Sequence, residues 1–518
     1  MAAKVADRAE KTNVDCPGAG LTMKILTLNP PFLPKYSREQ RSPAVTKSGT
    51  LYYPMWLAYA TGVLEKEGHD VKLLDAPAKR QSIEGVLDFA RFFRPEMAVL
   101  DTSTPSIYND AKVAAKIKEV LPRCTIVLVG PHVSALPEES IRLDPAIDVV
   151  ARREYDYTVR DLARTLGGGG DLEEVLGITF RRNGKNVWTG DRPYIDELDK
   201  IPFVSEVYGR HLSVEDYFYS ICQYPEITII TGRGCPHRCT YCVYPQVFQG
   251  RRYRARSPEN VVQEFQYIAE TFPSVREIFI EDDTFTIERG RCREICRKLI
   301  DSRNSISWTA NARADVDFET LEIMKQAGCR LLCVGVESGN QHVLDTMGKG
   351  LSLERIRAFF RDAKKAGILI HGCFMVGNRG DDGGTLEETL RFAKELNPDT
   401  AQFFPLMIYP GTEAFQWAKQ EGLILTEDFS QWVTNEGLHH SVVNLSGLSN
   451  ADTVAFCDRA RREFYLRPVY VISKLRQSLG HPSELRRTTK SLRTFLKYLL
   501  RGTFSESRCT ERDAERRR

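Results

Sequence analysis

Short apolar runs alternate with longer amphipathic segments along most of the chain, in two series. In the first series the apolar runs cover residues 24–32, 70–78, 97–106, 125–134 and 146–154. Runs of this length are typical of buried strands, and the segments between them are typical of helices. Strands that are separated by helices pair in parallel. The pattern therefore predicts a doubly wound, Rossmann-like α/β domain over residues 23–166, with its ligands at the carboxyl ends of the strands.

Four consecutive glycines at 167–170 interrupt this pattern, and residues 167–224 are predicted to form a linker with a small hairpin. The second series has apolar runs at 227–234, 277–283, 307–315, 331–339, 369–377 and 400–411. Six strand–helix units are fewer than the eight of a closed barrel, so residues 225–415 are predicted to form a partial (β/α)6 barrel. Residues 416–502 are predicted to be a helical C-terminal region, with disorder at 1–22 and 503–518.

The bulk composition narrows the function classes. The chain has 518 residues and a formal net charge of +3, so no long-range field favours a nucleic-acid partner. No apolar run is long enough to span a bilayer, and the first 20 residues lack the apolar centre of a secretory signal. The 13 cysteines are an odd number in a chain without such a signal. We therefore expect reduced thiols and a cytoplasmic protein.

Three cysteines stand apart by their spacing. Cys235, Cys239 and Cys242 follow the first predicted barrel strand in a single loop. Three thiolates can hold three irons of a 4Fe–4S cluster and leave the fourth iron open to bind a small molecule. A zinc site normally needs four ligands, and although His237 could be one, no second cysteine pair lies nearby. A thioredoxin-like pair would not need the third cysteine. The spacing therefore favours an iron–sulfur cluster.

The cysteine loop, with the aromatic Tyr241 before its last cysteine, resembles the signature of the radical S-adenosylmethionine (SAM) superfamily. The resemblance implies that the open iron binds the amino and carboxylate groups of SAM. It also implies that an electron from the cluster cleaves the sulfonium to give a 5′-deoxyadenosyl radical. An electron donor such as flavodoxin or ferredoxin is the expected partner.

Polar and glycine residues at the later strand ends suit a SAM site. Carboxylates after the second strand, including Glu281, match the SAM ammonium group, and a guanidinium on the third strand could pair with its carboxylate. The motifs ARAD, GVESG and YPGTE resemble the family pattern. The stretch MVGNRGD departs from it, because Arg379 stands where proline is common. The candidate SAM-binding residues are Tyr241, Asp282, Asp283, Asn311, Arg313, Glu337, Ser338 and Gly377.

The first strand of the N-terminal domain ends in NPPFLP rather than in a glycine-rich loop. Prolines remove amide donors, which disfavours a dinucleotide. The stretches LNPPF, STP and GPHVSALPE resemble the N-terminal domain of the cobalamin-binding class of the radical SAM superfamily. The candidate corrinoid-binding residues are Ser103, Thr104, Gly130, His132 and Ser134.

Two details of this domain depart from related patterns. The chain has no DxHxxG motif, so His132 is predicted to be a turn or supporting residue rather than a cobalt ligand. Where the class often shows Gly-Glu-Gly-Glu, this chain has Arg152, Arg153, Glu154 and Tyr155. The edge of the corrinoid pocket is therefore expected to differ.

The two halves together resemble C-methyltransferases of this class. That resemblance implies that one SAM methylates reduced cobalamin and a second gives the radical that removes a hydrogen atom from an unactivated carbon. The substrate is expected to be a small natural-product or sugar precursor, or a lipid-linked one. A cobalamin-using ring cyclase or ring-contraction enzyme is the alternative within the class.

Two further alternatives are less favoured. A tRNA methylthiotransferase would need a second cluster from three N-terminal cysteines, and only Cys16, Cys124 and Cys222 lie upstream. A non-catalytic corrinoid carrier would not need the cysteine loop. The segment 475–500 presents Lys490, Arg493 and Lys497. It is predicted either to contact a membrane surface or to cover the barrel with a solvated basic face.

Overall fold

The computed structural model describes residues 22–480, with side chains to residue 474. Residues 1–21 of the predicted leader, the predicted tail, residues 481–500 and the side chains of residues 475–480 therefore lie outside the described residues.

The N-terminal domain is a doubly wound sheet. Its first five strands are all parallel, in the order β2-β1-β3-β4-β5. Every residue of β3 is buried because helices cover both faces of the sheet. The strands are β1 (Lys24–Asn29), β2 (Asp70–Asp75), β3 (Met97–Asp101), β4 (Thr125–Val129) and β5 (Val149–Ala151). The helices are α1 (Met55–Lys66), α2 (Ala76–Lys79), α3 (Ile83–Phe93), α4 (Ile107–Val120), α5 (Pro131–Ala135), α6 (Pro137–Arg142) and α7 (Asp156–Gly168). This part of the predicted fold class is confirmed.

The hairpin in the segment 167–224 extends this sheet. Its strands β6 (Ile178–Arg182) and β7 (Lys185–Trp188) add antiparallel to β5, and α8 (Val204–His211) follows. The buried guanidinium of Arg152 donates to the carbonyl oxygens of Ile178 and Thr189, the latter at 2.7 Å. The arginine at the position of the family's glycine-rich stretch thus binds the hairpin to the sheet.

The second domain is a partial barrel of six parallel strands in the order β15-β14-β13-β12-β11-β8. The strands β8 and β15 are its two edges, so the predicted partial (β/α)6 barrel is confirmed. Its strands are β8 (Glu226–Ile229), β11 (Glu277–Ile280), β12 (Ser307–Ala312), β13 (Cys329–Glu337), β14 (Leu369–Val376) and β15 (Thr400–Pro405). A small ribbon of β9 (Gly232–Arg233) and β10 (Arg254–Ala255) follows β8. The helices are α9 (Pro258–Thr271), α10 (Arg289–Asp301), α11 (Phe318–Gln326), α12 (Gln341–Thr346), α13 (Leu353–Ala366) and α14 (Gly383–Leu396).

The C-terminal region covers the open edge of the barrel. Its helices are α15 (Glu413–Gln420), α16 (Asn450–Tyr465) and α17 (Pro468–Gly480). On α16, Tyr465 donates through its hydroxyl to the Ala401 carbonyl at 2.7 Å, and Arg461 donates to the Phe403 carbonyl at 2.8 Å. These bonds satisfy backbone acceptors of the edge strand β15. Between residues 22 and 480, no helix is long and apolar enough to cross a membrane.

Candidate active site

The three cysteines lie in the loop that follows β9. Cys235 is buried, and Cys239 and Cys242 are half-buried. The side-chain amide of Gln246 donates to three carbonyl oxygens of this loop, those of Cys239 (3.3 Å), Thr240 (3.0 Å) and Cys242 (2.9 Å). One amide group therefore fixes the backbone from which two of the thiols project. The sequence motif did not point to Gln246.

The buried thiols of Cys235 and Cys242 need a positively charged partner to ionise. Burial raises the pKa of Cys235 to about 11, and the nearby Asp283 carboxylate adds to the shift. Burial, with Asp283 and the other two cysteines, also raises the pKa of Cys242. Metal binding requires thiolates, and the charge of bound iron is what stabilises them. Three sulfur donors in one loop therefore fit a 4Fe–4S cluster with one open iron.

Glu337 connects β13 to the cysteine loop. It has a positive φ of 68° at an irregularity of β13. Its Oε1 atom accepts from the Tyr241 hydroxyl at 2.9 Å and from the Lys349 ammonium at 2.7 Å. Burial opposes the charge of Lys349, but the Glu337 carboxylate outweighs it and raises the Lys349 pKa. A side chain on Gly335 would overlap Glu337, so the glycine allows the carboxylate to fold over the strand.

An arginine from the N-terminal domain enters the barrel mouth. Arg41 lies in the loop of residues 30–54, and its guanidinium forms ion pairs with Glu281 and Asp283. Asn311 donates to Glu281 Oε2 at 3.1 Å. Burial opposes the charge of Arg41, but the two carboxylates outweigh it and raise its pKa well above the ordinary value. Periodicity gave no indication of Arg41, because it lies in an irregular loop far along the chain from its partners.

At the barrel mouth the two carboxylates carry more charge than the single arginine that pairs with them. Burial raises the pKa of Glu281 and of Asp283 despite Arg41. Among the described residues, Asp283 Oδ2 is buried without a hydrogen-bond partner. An orphaned carboxylate oxygen beside the cysteine loop fits the ammonium or sulfonium charge of SAM.

Four other predicted SAM residues have their polar groups bound within the chain. Asp282 accepts from the Thr231 hydroxyl at 2.6 Å and shapes the turn before β9. Arg313 donates to the Gly350 carbonyl at 2.8 Å. Ser338 accepts from the Asn340 amide at 3.1 Å, and the Gly377 amide, with a φ of 88°, donates to Asp381 at 2.9 Å. These four residues shape the strand ends, while Asp283, Asn311, Glu337 and Tyr241 converge near the thiols.

The carboxyl end of the N-terminal sheet faces this mouth. Thr104 Oγ1 lies 3.1 Å from His132 Nδ1, and Ser103 Oγ lies 3.0 Å from the Tyr36 hydroxyl. Burial lowers the pKa of His132 to about 3, so the imidazole is neutral at physiological pH. Ser134 donates to the Gly130 carbonyl at 2.8 Å. Gly130 has a φ of 114°, and a side chain there would overlap the Thr102 carbonyl oxygen.

A cavity joins the two ends. The N-terminal domain contributes Ser103, Thr104 and His132, and the barrel contributes Val243, Tyr244 and Tyr409. It lies at the point where the strand order reverses between β1 and β3, where doubly wound sheets bind their ligands. Arg38 and Arg41 also line the cavity, and their guanidinium groups are already paired, Arg38 with Asp110 and Arg41 with Glu281 and Asp283. A lining of hydroxyl groups, aromatic rings and cations that are already paired fits a large cofactor such as a corrinoid.

A doubly wound domain whose ligand crevice faces the cysteine loop of a partial barrel defines the cobalamin-binding class of the radical SAM superfamily. The family model of the Radical SAM superfamily matches residues 229–393, and that of the B12 binding domain matches residues 41–163. An uncharacterized methyltransferase of Pyrococcus horikoshii is 30% identical over 459 residues, which cover 88% of this chain and 96% of that protein. The chain thus belongs to the cobalamin-dependent radical SAM methyltransferase family, and its cofactors are a 4Fe–4S cluster, SAM and cobalamin.

Two other proteins are similar to this chain. The anaerobic magnesium-protoporphyrin IX monomethyl ester cyclase of Rubrivivax gelatinosus is 30% identical over 372 residues, which cover 70% of this chain and 66% of the cyclase. The solved structure of the radical SAM methyltransferase TsrM from Kitasatospora setae, with cobalamin and a [4Fe-4S] cluster bound, has a TM-score of 0.66. It is 17% identical and the match covers 87% of this chain and 90% of TsrM, which shows a shared fold.

Proposed function

We propose that this enzyme is a C-methyltransferase that transfers a methyl group to an unactivated carbon of a small-molecule substrate. One observation carries the proposal. Val243 and Tyr244 follow Cys242 directly in the chain, and both line the cavity that also contains Ser103, Thr104 and His132. A corrinoid in that cavity and a cluster on the three cysteines would therefore share one chamber.

When bound, the cluster and SAM supply a radical that removes a hydrogen atom, and cobalamin supplies the methyl group. The chain's own residues hold and separate these parts. Cys235, Cys239 and Cys242 bind the cluster, and Asp283 accepts from the SAM ammonium through the oxygen that has no partner. Asn311 keeps Glu281 turned toward the same group.

The lumen of the barrel is the proposed substrate chamber. The tilted rings of Tyr52 and Tyr219 are in contact there with centroids 4.9 Å apart, and the edge-to-face pair of Tyr219 and Phe279 has centroids 4.6 Å apart. The far end is closed by a packed apolar cluster that consists of Ile221, Cys222, Phe279 and Leu331. Aromatic walls and an apolar floor exclude water, which protects a reactive intermediate from side reactions.

The test is anaerobic reconstitution with iron, sulfide and cobalamin, followed by methyl-labelled SAM, a reductant and a panel of natural-product, sugar and lipid-linked precursors. We expect S-adenosylhomocysteine and 5′-deoxyadenosine together, with the labelled methyl group on one precursor. Flavodoxin or ferredoxin is the proposed physiological reductant and should replace the chemical one. Failure to transfer the label to any carbon, in the presence of both cofactors, would contradict the proposal.

Ring cyclisation or contraction is the second candidate, because the Rubrivivax gelatinosus relative is named a cyclase. It predicts 5′-deoxyadenosine without S-adenosylhomocysteine and without transfer of the label. The same reconstitution therefore separates the two reactions.

We further propose that the substrate is lipid-linked and that the basic segment 475–500 contacts the membrane surface. Flotation of the full chain with anionic liposomes should recover protein in the lipid fraction, and a chain cut after residue 474 should not float. Equal behaviour of the two forms would remove the membrane contact.

A further inference from the structure

A second group of metal-binding side chains lies inside the barrel, away from the cysteine loop. Cys333 is on β13, and His371 and Cys373 are on the neighbouring strand β14. The ligand atoms of the three residues all lie within 4.8 Å of one another. The two sulfur atoms are 3.8 Å apart. Nothing in the radical SAM motif requires these residues.

The register of the two strands explains why the three side chains meet. Cys333 is the Cα partner of His371, and Cys373 is the Cα partner of Gly335. Alternate residues of a strand point to the same face. Cys333 and Cys373 therefore project into the lumen as diagonal neighbours, and both thiols are half-buried.

We propose that Cys333, His371 and Cys373 bind one zinc ion. In a tetrahedral site with Zn–S bonds of about 2.3 Å, the two sulfur atoms are about 3.8 Å apart. That is the separation found here. The same geometry requires an imidazole nitrogen at roughly 3.5 Å from each sulfur, and the ligand atoms here lie within 4.8 Å of one another. Two thiolates also neutralise the divalent charge, so the ion adds no net charge to the lumen.

The surroundings of His371 support this assignment. Its Nδ1 atom lies 2.7 Å from the Thr400 hydroxyl on β15. Metal-binding histidines usually have one ring nitrogen held by an outer partner of this kind, which fixes the orientation of the ring. The chain thus provides two sulfur donors, one nitrogen donor and an outer hydrogen bond.

A disulfide is the competing chemistry for the same two thiols. A disulfide needs sulfur atoms about 2.05 Å apart and Cα atoms no more than about 7 Å apart. Diagonal neighbours across a sheet lie about 7–8 Å apart, which makes that bond strained. The sulfur separation matches the metal-bound geometry instead.

Three protein ligands leave one coordination position, as in catalytic zinc sites. Cys373 is paired with Gly335, and the Glu337 carboxylate and the Lys349 ammonium lie over that glycine. The open position therefore lies in the lumen next to this ion pair. It would anchor a hydroxyl, carboxylate or thiolate group of the substrate. This last step rests on the proposed function, whereas zinc binding itself does not.

The test uses the full chain with its cluster reconstituted to about four irons, so that zinc cannot occupy Cys235, Cys239 and Cys242. The protein is loaded with zinc chloride, freed of weakly bound metal and measured by elemental analysis and zinc K-edge absorption. We expect about one zinc per chain with two sulfur neighbours and at least one nitrogen neighbour. Iron and cobalt do not contribute at this edge.

The variant Cys333→Ser/Cys373→Ser should bind at least about tenfold less zinc and retain its iron. Cys329→Ala is the matched control, because Cys329 is on the same strand but its thiol lies beside Cys292; it should retain both metals. Thr400→Val should bind zinc about tenfold more weakly. Unchanged zinc in the double variant would overturn the proposal. So would a wild-type protein that holds four irons but no sulfur-bound zinc, or a Cys333–Cys373 disulfide found by mass spectrometry. Because the wild-type spectrum needs no variant, the test stands even if the double variant does not fold.

Discussion

The two faces of the cofactor chamber differ in how they use charge. The barrel face carries buried ion pairs, in which Arg41 meets Glu281 and Asp283, and Lys349 meets Glu337. The face of the N-terminal domain has one fully buried pair within its own domain, Arg38 with Asp110, and otherwise presents the hydroxyl groups of Ser103 and Thr104 and a histidine whose pKa burial lowers to about 3. The first arrangement suits a charged ligand, because paired charges can rearrange around a new one. The second suits a large neutral ligand that is held by shape.

The largest expected effect is the loss of the iron–sulfur cluster from the barrel face. Cys239→Ala removes one of three cluster ligands, so iron content and 5′-deoxyadenosine formation should fall to background. Cobalamin binding should persist, because the cavity residues of the N-terminal domain are unchanged. Iron analysis and a cobalamin titration on the same preparation check both statements. Cys124→Ala, a buried cysteine of the N-terminal domain, is the control and should keep the cluster.

The buried pair of Lys349 and Glu337 should come next. Lys349→Met leaves a buried carboxylate without its cation, which costs about 3–5 kcal/mol of unfolding free energy. Denaturant unfolding measures this cost, and SAM binding should weaken in parallel. The control is Arg142→Met, because Arg142 and Glu138 form an exposed pair whose loss should cost less than about 1 kcal/mol. Equal costs in the two variants would show that burial does not distinguish these pairs.

The third effect tests the shape of the N-terminal face. Gly130 and Gly68 both have positive φ, but a side chain overlaps a carbonyl oxygen only at Gly130 and meets open space at Gly68. Gly68→Ala should therefore show backbone strain alone, of about 1 kcal/mol. Gly130→Ala should cost at least about 2 kcal/mol more and weaken cobalamin binding. Matching losses of stability and cobalamin affinity in the two variants would contradict a face that recognises its ligand by shape.

The smallest effect is a pH dependence that arises at His132. The folded pKa is about 3, below the ordinary value of 6.5, so only the unfolded chain takes up the proton between these values. The stability from His132 is therefore complete above about pH 6.5 and is lost as the pH falls, by up to about 1.4 kcal/mol per unit. His132→Gln should flatten the stability profile between about pH 6.5 and 5. Parallel profiles for the wild type and the variant would show that His132 is not buried neutral.

Local patterns sufficed to predict several features of the fold and the site. The alternation of apolar runs predicted both sheets, because each buried strand needs its own apolar residues. The spacing of Cys235, Cys239 and Cys242 predicted one metal loop for the same local reason. The hairpin of β6 and β7 was expected in a linker, yet it extends the N-terminal sheet. Its place depends on Arg152, whose partners lie 26 and 37 residues further along the chain.

Local sequence was enough to identify the cysteine loop and the segments that form strands, because both depend on neighbours within a few positions. Which distant side chains meet depends on the tertiary fold. Arg41 reaches Glu281 across 240 positions, and Cys333 meets Cys373 across 40. Contacts of this kind arise from strand order and register, which no local spacing encodes. For the same reason, only the folded chain shows that Val243 and Tyr244 extend from the cysteine loop into the proposed corrinoid cavity.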